Sequence, residues 1–262
     1  MSLFDNIILG FLQGLTEFLP ISSSGHLVIG KSLLNITTPG AVLEILLHFG
    51  TLLAIVIYYF KDIIALIKGI FSPIDRKQSI NYISALIVAT IPAVIIGLTF
   101  DDFIEETFSS VTFVGINLIF TGFVLYFTRG KKPGKTQNIP LQTALIIGLA
   151  QALAILPGIS RSGMTISIAL YLGINNKDAA KFSFMMAIPV LFGAGLLHFN
   201  DAILLSGGSS PVNTIAGFVV SAITGFICIL TLVKVLSKQK LWIFSFYCWT
   251  IGTLSLIITL LN

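Results

Sequence analysis

Long runs of Leu, Ile, Val, Phe and Ala alternate along the chain with short polar connections. Six of the runs, at about 41–60, 80–100, 111–128, 182–199, 212–236 and 241–261, are long enough to cross a bilayer. Each run is continuously apolar, without the inward-polar, outward-apolar alternation of a membrane barrel strand, so the pattern predicts an all-α polytopic membrane protein. Two further segments, about 4–34 and 141–173, are apolar but interrupted. The first contains Gln13 to Gly25, QGLTEFLPISSSG, and the second Gln151 to Gly163, QALAILPGISRSG. A Leu-Pro pair and a Ser-x-Ser-Gly turn break both, exposing backbone groups that hydrocarbon cannot satisfy. Both are predicted to be re-entrant helical hairpins that leave on the side they entered.

Charge fixes a topology for these elements. Lys61, Lys68, Arg76 and Lys77 follow the first span, Arg129, Lys131, Lys132 and Lys135 the third, and Lys234, Lys238 and Lys240 the fifth, so these connections are expected on the cytoplasmic side. The alternate connections carry Asp101, Asp102, Glu105, Glu106 and Asp201 without Lys or Arg and are expected outside, with both termini. Lys177 and Lys181 then fall inside, and Lys31 is the one loop cation on the wrong side. One hairpin plus three spans makes each half, about 1–135 and 136–262. An odd number of spans inverts the second half relative to the first within a single membrane domain. Inverted repeats of this type bring their broken helices together near the midplane with helix N-termini aimed at anions. The two Ser-x-Ser-Gly turns are expected to meet there.

Composition agrees with a multi-pass protein of the plasma membrane: 55% of the 262 residues are hydrophobic and 10% charged. The isoelectric point near 9.1 reflects basic residues beside spans, not a nucleic-acid surface. Asp5 and Gln13 interrupt the first apolar stretch, and Glu17 stands where a cleavable signal would have small residues, so the segment is expected to remain. Cys228 and Cys248 fall inside spans as small hydrophobes.

The hairpins also concentrate the polar chemistry. Gln13 and Glu17, four apart, share a helical face, and Leu-Pro leads from them into Ser22, Ser23, Ser24, Gly25 and His26. A hydroxyl, an imidazole and a carboxylate in one short loop can serve as nucleophile, base and orienting or metal-binding group, whereas serines alone would cap the broken helix. An intramembrane Glu17 is costly and points to function. In the second hairpin Arg161 is the one cation at bilayer depth. It is suited to bidentate phosphate recognition, with Ser160, Ser162, Gly163, Thr165 and helix-start amides around it. The bland alternative is a structural pair with Glu17 or Glu44. Glu44 and His48 form a polar pair facing the bundle interior, suited to supporting the site or carrying protons. Gln151 echoes Gln13, with Ile155 in place of a carboxylate, and His198 ends the fourth span near the outer interface.

These residues make the chain resemble, over essentially its whole length, the bacitracin-resistance type of undecaprenyl-diphosphate phosphatase. Gln13-Gly-Leu-Thr-Glu17 leading into FLPISSSGH matches one signature and Pro157 to Thr165, PGISRSGMT, the second, with FSFMMAIP at 182–189 alongside. The resemblance implies removal of the terminal phosphate from a C55 polyprenyl diphosphate at a site open to the outer face. It also implies a divalent cation, Mg²⁺ or Ca²⁺, and a role in cell-wall carrier-lipid recycling and antibiotic resistance. It implies Glu17, Ser23, His26 and Arg161 as catalytic, with Glu17 also at the metal. Gln13, Ser22, Ser24, Ser160, Ser162, Gly163 and Thr165 would contact the substrate. Gln13 stands where many members have Glu, which removes one charge from any two-carboxylate clamp. Ser23 as nucleophile with His26 as base, His26 as nucleophile, and direct water attack all remain open. The rival function is an alternating-access transporter or flippase for a small anion or phosphate-bearing lipid, which would need Arg161 but no nucleophile.

Overall fold

The computed structural model describes residues 2–34, 36, 41–108, 110–131, 134, 136, 139–197 and 210–261. Lys132, Lys135, His198, Asp201 and the side chain of Glu105 lie outside the described residues. Among those described, the regular structure is helical, with one isolated bridge between Thr136 and Ile174.

The first interrupted segment forms α1 (Leu3–Phe18) and α2 (Ser23–Leu33), and the second α8 (Leu141–Leu153) and α9 (Arg161–Tyr171). A capping box between Ser2 and Asp5 starts α1, and extended backbone at Leu19, the residue before Pro20, ends it. Between the hairpins lie α3 (Ala41–Tyr58), α4 (Phe60–Phe71), α5 (Arg76–Thr99), α6 (Asp101–Thr107) and α7 (Val111–Tyr126). After them come α10 (Asn176–Leu197), α11 (Pro211–Ser237), a short 3₁₀ turn (Leu241–Ile243) and α12 (Phe244–Leu261). By length and composition, α5, α10, α11 and the 3₁₀ turn with α12 can each cross a membrane, and α3 with α4 makes a fifth candidate bent by 68°. With 16 residues, α7 rises about 24 Å, less than a hydrocarbon core of about 30 Å.

Large apolar side chains cover the surface, and polar ones are buried beside an apolar core that includes Phe18, Phe182 and Phe184, unlike in a water-soluble bundle. Gln13, Thr165, Ser167, Ser221 and Ser245 are fully buried, whereas Ile87, Ile91, Ile95 and Leu98 of α5 and Ile223 and Ile227 of α11 are exposed. Such a surface suits lipid, and inside it helices gain little from apolar burial and associate through close packing.

Small residues at intervals of four supply that packing. In α1, Gly10 and Gly14 lie against Gly217, Ser221 and Gly225 of α11: a Cβ on Gly10 runs into the Gly217 carbonyl, and one on Gly14 into Thr224 Oγ1. In α8, Ala144, Gly148 and Ala152 are buried, and α8 packs on α5, where Ala85, Ala89 and Ala93 are buried. A Cβ on Gly148 would lie 2.5 Å from the Ala89 carbonyl oxygen. The first helix of each hairpin therefore lies against a long helix of the other half of the chain.

The basic connections gather at one end. Lys181 Nζ bonds Asp62 at 2.5 Å, Asn176 Nδ2 donates to the Leu236 carbonyl at 2.6 Å, Arg129 stacks over Trp242, and Lys131 over Tyr171. Lys31, the exception to the charge rule, is paired with Glu44 of α3.

Gly14→Leu is expected to lower the stability of the detergent-solubilised protein by more than the roughly 1–3 kcal/mol of ordinary overpacking, because backbone on α11 cannot yield. Gly193, whose Cβ position is open, is the control: Gly193→Ala should leave the unfolding midpoint unchanged. Equal midpoints for both variants would refute this account of the α1–α11 contact.

Candidate functional site

Both hairpins break the same way at their tips. Ser22 caps α2 by accepting from the Gly25 amide at 3.3 Å, and Ser160 caps α9 by accepting from the Gly163 amide at 3.1 Å. Each cap also lies close to the serine two residues on, Ser24 at 3.2 Å and Ser162 at 3.3 Å. Ser23 and Arg161 are therefore equivalent positions, the first residue of each second helix. At both starts the amides of the first turn face away from any intrahelical acceptor.

The two tips touch. The Gly158 amide donates to Ser22 Oγ at 3.1 Å, and Ser162 Oγ donates to the Leu19 carbonyl at 3.3 Å, so the second hairpin donates twice to the first. Gly158 sits at φ +92°, and a Cβ there would lie 2.5 Å from the Val114 carbonyl oxygen, which leaves room only for glycine. From α7, Asn117 Nδ2 donates to the Pro157 carbonyl at 2.8 Å and Thr121 Oγ1 to the Gly158 carbonyl at 3.0 Å, while Thr121 Oγ1 accepts from the Ser160 amide at 3.1 Å. These bonds satisfy the non-helical backbone at the break. Ser22 itself adopts φ +68°, an uncommon conformation for serine that costs about 1–3 kcal/mol.

Around this junction the polar side chains converge on one carboxylate. Glu17 Oε2 accepts from Ser23 Oγ at 2.5 Å and from Gln13 Nε2 at 3.0 Å, and Glu17 Oε1 accepts from Arg161 Nη2. His48 Nε2 stands 3.8 Å from Oε2, its Nδ1 bonded to the Glu44 carbonyl. Arg161 Nη1 is buried with no hydrogen-bond partner, and so is Gln13 Oε1. The site thus holds a hydroxyl against a carboxylate, beside a guanidinium with unused donor capacity.

Other expected residues make contacts within the protein. His26 is not brought to Ser23: its Nδ1 bonds the Ser22 carbonyl at 2.7 Å and its Nε2 the Tyr247 hydroxyl at 2.8 Å, the two rings stacked. Ser22 and Ser160 act as caps, and Ser162 as a tie between hairpins. Thr165 Oγ1 donates to the Arg161 carbonyl at 2.8 Å and meets Ser183 Oγ at 2.7 Å, joining α9 to α10. Gln151 Nε2 donates to the Ala89 carbonyl at 3.3 Å, a helix-packing contact. Asn117, Thr121 and Tyr247 were not anticipated from sequence. The first two are a polar pair four apart in an apolar helix, a signal that was readable. Tyr247 lies in an aromatic stretch like others in the chain and gave none.

The chain matches the family described as bacitracin resistance protein BacA over residues 6–254. It is 41% identical to an undecaprenyl-diphosphatase of Methanosphaera stadtmanae, covering 99% of each chain. It is 42% identical to undecaprenyl-diphosphatase 3 of Bacillus cereus, covering 98% of each. It is 44% identical to an undecaprenyl-diphosphatase of Methanococcus maripaludis strain C7, covering 94% of this chain and 96% of that one.

Arg161→Met is expected to destabilise the protein by about 3–5 kcal/mol, because it leaves the Glu17 carboxylate buried and unpaired. Adding Glu17→Gln should recover most of that loss, which a double-mutant cycle of unfolding midpoints in detergent would measure. Strictly additive losses would mean that the pair is not coupled.

Proposed function

The chain belongs to the bacitracin resistance protein BacA family, and on that premise we propose that it hydrolyses undecaprenyl diphosphate to the monophosphate carrier lipid and inorganic phosphate. The relatives' shared name favours this phosphatase reading over a transporter or flippase, as does a nucleophile held against a base. The observation that carries the mechanism is the 2.5 Å bond from Ser23 Oγ to Glu17 Oε2.

Ser23 Oγ attacks the terminal phosphorus while its proton passes to Glu17, which replaces His26 as the base because His26 is engaged by Ser22 and Tyr247. The bridging P–O bond breaks, its electrons leave on the lipid monophosphate, and a phosphoserine remains. Water then attacks that phosphorus, Glu17 assists, and inorganic phosphate departs as Ser23 regains its proton. Arg161 supplies donors to the phosphoryl oxygens through Nη1, and the first-turn amides of α2 and α9 add theirs where charge develops. His26, tied to the Ser22 carbonyl, holds the turn from which Ser23 projects.

A divalent cation fits this site only as a shared one. Among the described residues no group of three His, Cys, Asp or Glu side chains could hold a metal. Glu17 with the unpartnered amide oxygen of Gln13 would bind Mg²⁺ or Ca²⁺ together with the diphosphate's own oxygens. When bound, such an ion neutralises the diphosphate.

The same reading covers topology. We take α7 as a sixth span and the two halves as inverted repeats, supported by the reciprocal packing of α1 on α11 and α8 on α5. The basic end, where residues 62, 129–131, 171–181 and 236–242 meet, is cytoplasmic by the charge rule, with both termini outside. The site then opens outward and the apolar flanks receive the lipid tail.

Purified protein should release one phosphate per polyprenyl diphosphate with Mg²⁺ or Ca²⁺ present. Ser23→Ala, Glu17→Gln and Arg161→Ala should each lower kcat by about 10²–10⁴-fold. Rapid quenching should trap a phosphoenzyme labelled at Ser23. Release by Ser23→Ala at the wild-type rate would rule out this mechanism.

A further inference from the structure

The tip of the first hairpin is gripped by two consecutive residues from the far end of the chain. On α12, the Tyr247 hydroxyl meets His26 Nε2 at 2.8 Å with the rings stacked, and Cys248 Sγ donates to the Pro20 carbonyl at 3.6 Å. His26 in turn holds the Ser22 carbonyl twice, through its own amide at 3.2 Å and through Nδ1 at 2.7 Å. A neutral His26 makes these contacts with the Tyr247 hydroxyl as donor, and an imidazolium makes them with that hydroxyl as acceptor. The linkage from α12 to the turn is therefore independent of the ring's charge.

The linkage ends on a strained residue. Ser22 stands at φ +68°, a conformation that persists only when its surroundings hold it. Ser23 follows directly, and its Oγ meets Glu17 Oε2 at 2.5 Å. Tyr247 is 41% exposed, so it adds little to the core beyond its contact with His26. The second hairpin is held in the same manner by α7, whose Asn117 and Thr121 bind the Pro157 and Gly158 carbonyls. The two holding helices, α7 and α12, pack against each other, and a Cβ on Gly252 would lie 2.7 Å from the Gly115 carbonyl oxygen. Both tips are thus referenced to one closely packed helix pair.

We propose that Tyr247 is a positioning residue for the phosphatase reaction: acting through His26, it holds the Ser22 turn in the conformation that presents the Ser23 hydroxyl to Glu17. The inference rests on the reading of Ser23 as the nucleophile. Diphosphate binding falls to Arg161 and the first-turn amides, so freeing the turn acts on the rate of attack and leaves substrate binding in place. Misplacing a reacting group by about 1 Å can lower a rate on the order of a hundredfold.

The test uses full-length protein in detergent and the variant Tyr247→Phe, which keeps the ring and removes the hydroxyl. Its kcat should fall about tenfold or more with KM nearly unchanged. Backbone hydrogen exchange followed by mass spectrometry should become faster over residues 19–27 and stay unchanged over the second tip, residues 154–163. In a His26→Ala background, Tyr247→Phe should add nothing to either reading. Trp249→Phe removes a hydrogen bond from α12 to the Ile119 carbonyl and is the control, with kcat and exchange at 19–27 unchanged. A wild-type kcat for Tyr247→Phe overturns the proposal. A fall in kcat without faster exchange at 19–27 also overturns it, that being the result if Tyr247 only oriented His26 as a base. Equal effects from Trp249→Phe, or a further effect of Tyr247→Phe on top of His26→Ala, overturn it too. Wild-type phosphate release with tip exchange unmoved by Tyr247→Phe removes this inference alone. If wild type itself releases no phosphate, the phosphatase reading falls, and exchange at 19–27 alone decides whether Tyr247 holds the turn.

Discussion

A carboxylate buried in an apolar bundle must be compensated by its neighbours, and the arrangement around Glu17 follows from that requirement. Its two oxygens draw Gln13 from its own helix, Ser23 from α2, Arg161 from α9 and His48 from α3. Four helices are thereby pinned to one point. The cost of stranding either charge makes the meeting of the hairpins specific, where van der Waals packing alone would tolerate sliding. The same arrangement holds the Ser23 hydroxyl against Glu17, the contact that the proposed chemistry needs.

That convergence is possible because the backbones come close. Small residues four apart along α1 and α8 let each hairpin's first helix seat directly on α11 and α5. The non-helical turns that follow would be prohibitively expensive if exposed to lipid. They are satisfied instead by Ser22, Ser162, Asn117 and Thr121, so protein covers the irregular backbone at the two breaks. Close packing, satisfied turns and the paired carboxylate are one solution to one problem, polar groups placed deep in an apolar medium.

Much of this was legible in the sequence because membrane patterns are coarse and strong. Apolar runs located the helices, Leu-Pro with Ser-x-Ser-Gly located both breaks, and Glu17 and Arg161 stood out as charges in the wrong solvent. The pair of Arg161 with Glu17 was among the readings the sequence offered, but the partners of Ser23 and His26 could not be read. The spacing of Ser23 and His26 suggested a nucleophile and its base, but position in a helix's first turn sends Ser23 toward Glu17 and His26 toward Tyr247, 221 residues away. The 68° bend after Tyr58 was likewise invisible, because the apolar pattern simply continues through it. Nor could it be read that Lys31, the exception to the charge rule, pairs with Glu44.

The divergence of the two hairpins has a local cause. Ser23 and Arg161 occupy the same place, the residue after a capping serine, and each reaches Glu17 from its own hairpin. Only the first hairpin carries a carboxylate four residues after its Gln, since Ile155 follows Gln151. With one carboxylate between two equivalent positions, a second serine in place of Arg161 would leave the buried charge without a counter-ion. A second arginine in place of Ser23 would leave no hydroxyl to activate. One of each is the combination that both neutralises Glu17 and keeps a hydroxyl against it. The asymmetry of the site is thus a consequence of placing a single charge on a doubled scaffold.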